Sequence, residues 1–411
     1  MYAARLHTGA AEAGRREARP TRAQPARVWR LDWIVLANSL LMLAYHASGT
    51  AVLAVAGHVF SAAVVVGLGC SAWRSPRVLR PYRWLLGMLV LGIGATLLVN
   101  QGRTDPADLA KFLSLFVFYF AARASPQALR CSVLNAFLLL ALPLVLAPFG
   151  SRVHDAAGTG HVAFSYFQTR NAAVIYYTGV LFYLYPLLGR AALPLQLGSA
   201  MAFGKIGAIV ASLGAFTLCS LSARREALVV LPLGLGVVVL GMGMGLLDRP
   251  LAVLDVLLAN VAELGPARIS AMSYAEIVTL SGSRDVSAYF RIKHWAEIWQ
   301  IYAQGSPGQI LFGFGPGQSK VVTLQHLVPH NDYLRILAEF GAVNFGCFLV
   351  LIVIALRGLP EAPLASLFMV YVFYSVSENL LDNFAALALL FGGAGLYARG
   401  RGERGKADHP P

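Results

Sequence analysis

The sequence predicts an all-α fold: a polytopic helical membrane protein of about 12 transmembrane helices, with one long periplasmic loop between spans 9 and 10. Two observations carry this prediction and a third orients it. The chain of 411 residues is 57% hydrophobic, with a mean hydropathy of +0.63, too apolar for a soluble protein built around one core. Apolar runs of about 15–23 residues recur between short polar stretches, and a hydrocarbon core of about 30 Å takes roughly 20 helical residues to cross. Strand-like alternation is absent, which argues against a transmembrane barrel.

The third observation is where the net charge of +13 sits. Arg5, Arg15, Arg16, Arg19, Arg22, Arg27 and Arg30 precede the first span, and Arg74, Arg77, Arg80 and Arg83 fill one short loop. Arg399, Arg401, Arg404 and Lys406 follow the last span. This is the positive-inside distribution. It makes membrane lipids the expected surroundings and leaves no role for nucleic acid.

In chain order, residues 1–30 are Ala/Arg/Pro-rich and are expected to be a disordered basic cytoplasmic N-terminus without a cleaved signal peptide. A membrane domain follows over 31–398, with spans near 33–48, 51–72, 84–100, 109–122, 131–149, 171–188, 203–220, 227–247, 251–264, 338–356, 363–377 and 384–398. Twelve spans put both termini inside, so 399–411 is a cytoplasmic tail. The span near 251–264 is short and carries Asp255. The outward loops are then 101–108, 150–170, 221–226 and the long periplasmic loop 265–337; long loops without obvious structure are usually functional. Cys70, Cys131, Cys219 and Cys347 lie in or beside apolar runs without CxxC spacing and read as small buried residues.

Arginines on the outer face run against the positive-inside bias, so each calls for a reason. Arg170-Asn171 opens the sixth span, and Ser222-Ala-Arg224-Arg225-Glu226 lies between the seventh and eighth. The long loop adds Ser281-Gly-Ser-Arg284-Asp285 and Tyr289-Phe-Arg291-Ile-Lys293-His294-Trp295. A planar guanidinium grips phosphate oxygens as a bidentate fork, and several around one cavity hold a diphosphate without metal. The bland alternative is ion pairing, Arg225 with Glu226 and Arg284 with Asp285.

The richest stretch runs from Phe312 to Phe345. A glycine-rich turn, Gly313-Phe-Gly315-Pro-Gly317, leads to Pro329-His330-Asn331-Asp332, and a helix starts at about Tyr333, with Asn331 or Asp332 as its cap. The turn lacks the strand, helix and lysine of a phosphate loop and is not a nucleotide site. His330 stands at the head of this helix, where it can act as a base toward a sugar hydroxyl or serve as a capping residue. His294 and His326 lack that context. Arg335 and Glu339, at i and i+4, read as a structural pair. No metal-ligand spacing appears, and no cofactor is expected.

The order Arg291…Trp295, Gly313…Gly317, then His330-Asn331-Asp332-Tyr333-Leu334 through Glu339-Phe340-Gly341 resembles the O-antigen ligase/polymerase superfamily. Phe167-Gln-Thr-Arg170-Asn171 and Ser222-Ala-Arg224-Arg225-Glu226-Ala227 fit earlier signposts of that family, and the likeness is sharp over about 160–345. The resemblance implies a metal-independent, lipid-linked glycosyltransferase of the bacterial inner membrane with its active site on the periplasmic side. Ligases of the family move polymer from undecaprenyl diphosphate onto lipid A–core; polymerases move it onto another lipid-linked repeat unit. Carried over by position, His330 activates the acceptor hydroxyl while Arg291, Arg225 and Arg170 hold the diphosphate, with Arg224, Arg284 and Asn331 as further substrate-binding candidates. A transporter or flippase, using the arginines as a pathway, is the non-enzyme alternative.

Overall fold

Long apolar runs without water to bond their backbone must satisfy each N–H and C=O internally, and the helix does this within one segment. The computed structural model describes residues 30–48, 50–124, 132–145, 169–222, 224–245, 248–281, 287–324 and 326–399, and these hold helices and no strand. The first helices are α1 (Leu31–Ser48), α2 (Ala51–Trp73), α3 (Arg83–Val99), α4 (Pro106–Ala124) and α5 (Val133–Val145). Next come α6 (Arg170–Tyr183), α7 (Ala192–Ala202), α8 (Ile206–Ser222) and α9 (Arg224–Gly243). The long-loop region supplies α10 (Asp248–Ala271), α11 (Tyr274–Ser281), α12 (Ser287–Ala303), α13 (Pro307–Phe312) and α14 (Ser319–Val322). The chain closes with α15 (Asp332–Gly358), α16 (Ala362–Tyr374) and α17 (Phe384–Arg399).

Three of the described helical stretches are long and apolar enough to cross a membrane: Val55–Trp73, Pro76–Val99 and Asp332–Gly358. A fourth is reached if α6 and the following Tyr185–Ala202, bent by 66°, form one span. Only 22% of the first stretch and 17% of the second are buried. Their outward faces carry Val55, Val59, Val66, Trp84, Met88, Val90, Leu91 and Leu98, an apolar surface that needs a nonaqueous neighbour. Cys70 lies on this exposed face of α2, not in a core as expected; Cys347 is buried.

Contacts between distant residues sort the helix ends into two groups. At the basic end, Arg123 lies over the Tyr82 ring, Tyr119 and Ala398 abut Gly358, and Tyr185 donates to Glu361 at 2.8 Å. At the polar end, Asp105 N–H donates to the Pro316 carbonyl, Asp332 N–H donates to the Ser375 carbonyl, and Gly207 abuts Ser377.

This sorting corrects two expectations. The segment 189–202, expected to be a cytoplasmic loop, contains α7, which packs back along α6 and returns the chain to the polar end. Then α8 runs antiparallel to α16: Gly207 meets Ser377 and Tyr374, Gly214 meets Phe373, and Cys219 bonds Ser366. A helix of 17 residues is about 25 Å long. Arg224 and Arg225 therefore open α9 at the basic end, and not at the polar end with Asn171 and Arg291, the other segments expected to face outward. The second correction concerns 251–264, expected to be span 9. It lies within α10, which packs mainly on α12 and α11 around Ile269, Ile277 and Tyr289.

The glycine-rich turn has a packing reason. Gly341, at φ +76°, kinks α15, and Gly313, at φ +79°, lies against that kink backbone to backbone. Phe314 and Gly315 N–H groups donate to the Ala338 and Glu339 carbonyls at 2.9 Å. A Cβ on Gly341 would sit 2.4 Å from the Gly313 nitrogen. Gly341→Ala should cost at least about 1–3 kcal/mol from the left-handed backbone alone, read as a lower thermal midpoint in detergent. Reporter fusions at Arg77 and Ala223 should fall on one side of the membrane and a fusion at Gln318 on the other; Ala223 siding with Gln318 would undo the placement of α7.

Candidate functional site

The polar end holds two adjoining clusters of side chains. The turn 375–383 between α16 and α17 contributes to both.

The first cluster is centred on Glu378, whose side chain is 3% exposed. Arg291, from α12, gives Nη2 to Oε1 at 2.7 Å. Asn171, the second residue of α6, donates its amide to Oε2, and its own Oδ1 accepts from the Tyr374 hydroxyl at 3.1 Å. His330 brings Nδ1 to within 3.4 Å of Oε2, inside ion-pair reach and loose for a hydrogen bond. Burial alone would raise the Glu378 pKa; the His330 contact and the charges of Arg291 and Lys205 outweigh it and hold the carboxyl below its usual range. Lys205 sits in the turn before α8, next to Gly204, which faces the Arg170 guanidinium.

His330 is half-buried, with a side chain 37% exposed, yet its Nδ1 is inaccessible. The open edge of the ring is therefore the Nε2 side. The local sequence explains this placement. Asn331 caps α15 by accepting the Leu334 N–H at 3.0 Å, which turns the preceding residue out of the helix toward Glu378. The carbonyl oxygen of Asn331 is thus used in the cap.

The second cluster is centred on Arg335, which is fully buried. Its guanidinium reaches Asp108 at 3.0 Å, Asp382 at 3.2 Å and Glu339 at 3.6 Å. Lys111 bridges Asp108 and Asp382 at 2.7 and 2.6 Å, and Lys320 reaches Asp108 at 2.8 Å. Burial would raise Asp382, but Arg335 and Lys111 hold it below the ordinary range. Asp332 joins the clusters through the backbone, its Oδ2 accepting from Leu380 and Leu381 N–H at 2.8 and 3.0 Å.

Of the residues singled out from sequence, the geometry brings Arg291 and His330 onto one carboxylate. Arg170 lies at the same end, beside Gly204. Arg224 and Arg225 do not join them, since their backbone starts α9 at the basic end. Arg284 lies outside the described residues. Arg335 and Glu339 pair as read, within a larger network. His294 is buried, with Nε2 against the Leu327 carbonyl; burial outweighs the Leu327 and Glu297 contacts and lowers its pKa. Among the described residues no three His, Cys, Asp or Glu side chains are grouped to hold a metal ion. Sequence reading missed Glu378, Tyr374 and Lys205. The one available signal was a carboxylate, Glu378, placed just after a span where a short outward turn was due.

What fold and site define together is a helical protein with helices long and apolar enough to cross a membrane and a charged site at one end of the bundle. No protein-family model matches the chain, and no curated protein matches it.

Two consequences are measurable. Replacing Arg335 by Met leaves the buried Glu339 without its cation and the buried Asp108 with only Lys111 and Lys320, a change worth about 3–5 kcal/mol; folded protein recovered from membranes should fall sharply. Glu378 and Asp382 both have lowered pKa values. They stabilise the fold in full above the ordinary carboxylate range, and that contribution is lost as pH falls through the lowered values. The thermal midpoint should hold from about pH 7 to about pH 5 and drop below about pH 4, less steeply in Glu378→Gln.

Proposed function

We propose that this protein is an inner-membrane glycosyltransferase of the O-antigen ligase type, moving a polysaccharide from undecaprenyl diphosphate to a lipid A–core acceptor. The observation that supports the reading most is the meeting of His330, Arg291 and Asn171 on Glu378, with Lys205 acting on the same carboxylate. These residues come from four separate parts of the chain. Three of them belong to the motifs through which the sequence resembles the ligase/polymerase superfamily.

The chemistry is a displacement at the anomeric carbon. His330 takes the proton of the acceptor hydroxyl as its oxygen bonds that carbon. The carbon–oxygen bond to the diphosphate breaks, and the leaving group departs with the electron pair. Arg291, Lys205 and Arg170 meet the developing charge, a role for prepositioned cations in a site shielded from water. Arg224 and Arg225 drop out of this clamp and join the basic end, with Arg74, Arg77, Arg80, Arg83 and Arg123, as positive-inside residues. In this reading α1 to α9 and α15 to α17 supply the passes, with α7 as a short one, α10 to α14 form a periplasmic roof and both termini are cytoplasmic.

A polymerase, with a second lipid-linked unit as acceptor, uses the same donor chemistry. A transporter reading draws on the 66° bend between α6 and the helix after it. Against that reading, the charges buried around Glu378 and Arg335 gather at one end of the bundle and not at its middle, where a transport pathway needs them.

His330→Ala should abolish transfer while leaving a folded, membrane-inserted protein, and Arg291→Lys should lower it by losing the fork. Deleting the gene should leave long polymer on undecaprenyl diphosphate and lipid A–core unmodified. Core bearing a single repeat unit would replace the ligase with the polymerase.

A further inference from the structure

We infer that Glu378 is the positioning residue for His330, fixing the imidazole with its proton on Nδ1 and its Nε2 lone pair facing the open side of the site. The inference rests on the proposed reading for its place in a reaction, and on geometry alone for the pairing itself.

The geometry is a chain of donors with a fixed direction. The Tyr374 hydroxyl donates to Asn171 Oδ1. The Glu378 carboxylate can only accept, and this settles the Asn171 amide: its NH₂ group points at Oε2 and its Oδ1 takes the Tyr374 proton. Arg291 holds the other oxygen, Oε1, at 2.7 Å. With both oxygens engaged the carboxylate has no freedom to turn. The inaccessible His330 Nδ1 then faces Oε2 at 3.4 Å. A lone pair pointed at a carboxylate is repelled, so Nδ1 carries the proton. Nε2 is left as the acceptor on the exposed edge of the ring, where a substrate hydroxyl can reach it.

The charged and titratable groups around the pair come from every element packed on it. They are Arg291 and His294 from α12, Lys205 from the turn before α8, Tyr374 from α16, and Arg170 at the start of α6. The cations favour an ionised Glu378, the form that orders the imidazole. A plain counter-ion to Arg291 would need only one carboxylate oxygen; here Oε2 is held separately by Asn171 and presented to the histidine.

The experiment follows the tautomer directly. The full chain, with ¹⁵N-labelled histidines, is placed in nanodiscs of phosphatidylethanolamine and phosphatidylglycerol at about pH 8. The His330 signals are assigned by their loss in His330→Ala. The parent protein should show the Nδ1–H tautomer. In Glu378→Gln, Arg291 claims the amide oxygen, so the NH₂ group faces Nδ1 and the ring should switch to Nε2–H. Transfer from an undecaprenyl-diphosphate glycan to lipid A–core in proteoliposomes should then lose about 10²–10⁴-fold in kcat with KM little changed. Glu378→Asp, which keeps the acceptor, should keep the Nδ1–H tautomer and part of the turnover, and serves as the test if the Gln variant does not fold. An Nε2–H ring in the parent, or in Glu378→Asp, overturns the assignment whatever the reaction is. A switched tautomer with undiminished transfer leaves the pairing intact and overturns His330 as the base.

Discussion

The polar end depends on one buried cation. Arg335 lies wholly out of solvent one turn into α15 and is surrounded by Asp108 of α4, Glu339 of its own helix and Asp382 of the 375–383 turn. A lone guanidinium there is untenable, and so is the buried Glu339 without it. Arg335, Asp108 and Glu339 can only be buried together, and Asp382 closes the network from the rim, which makes α4, α15 and the turn before α17 meet. Lys111 and Lys320 complete the neutralisation from the rim. The Glu378 cluster is built on this base: its carboxylate sits four residues before Asp382 on the same turn, and His330 sits five residues before Arg335 on the same strand of chain.

How much of the site could be read from sequence follows from how local each signal is. His330 was legible because a histidine, a capping asparagine and an apolar helix adjoin in sequence. Arg291 was legible as an arginine in a segment expected outside the membrane. Asn331 was read twice, as cap and as substrate contact, and the structure puts its carbonyl oxygen in the cap. Glu378 was not legible. Its meaning comes from Asn171, Arg291 and His330, more than 40 residues distant at the least, and no spacing rule joins a carboxylate to partners so far away. Lys205 was not legible either, because the chain between it and Arg170 reads as one pass and a loop.

That misreading has a physical cause. Helix α7 has 11 residues, shorter than a bilayer crossing, and it follows a Gly-Arg turn and contains Pro194. A length criterion passes over such a helix. In the other direction, α10 is apolar enough over 251–264 to pass for a span although its partners are α11 and α12. The two differences offset each other in parity, so the segments after α10 stay with the polar end while the backbone of Arg224 and Arg225 starts at the basic one. The arginine pair reads as an exception to the charge rule only while the return of the chain through α7 goes unread. The Gly313–Gly317 turn shows the opposite case: its conformation was legible from glycine content, whereas its purpose, a backbone contact with the Gly341 kink, needed both segments in view.

The turn between α16 and α17 also constrains how this chain can vary. Glu378 faces one cluster and Asp382 the other, while the peptide groups of Leu380 and Leu381 between them are held by Asp332. Those central contacts use backbone atoms, so they are indifferent to which side chains stand at 380 and 381 so long as the peptide N–H groups remain. The number of residues between the two carboxylates is another matter, because adding or removing one would carry Glu378 off its partners or Asp382 off Arg335. Across divergent versions of this protein, the segment should therefore be variable in spelling and fixed in length.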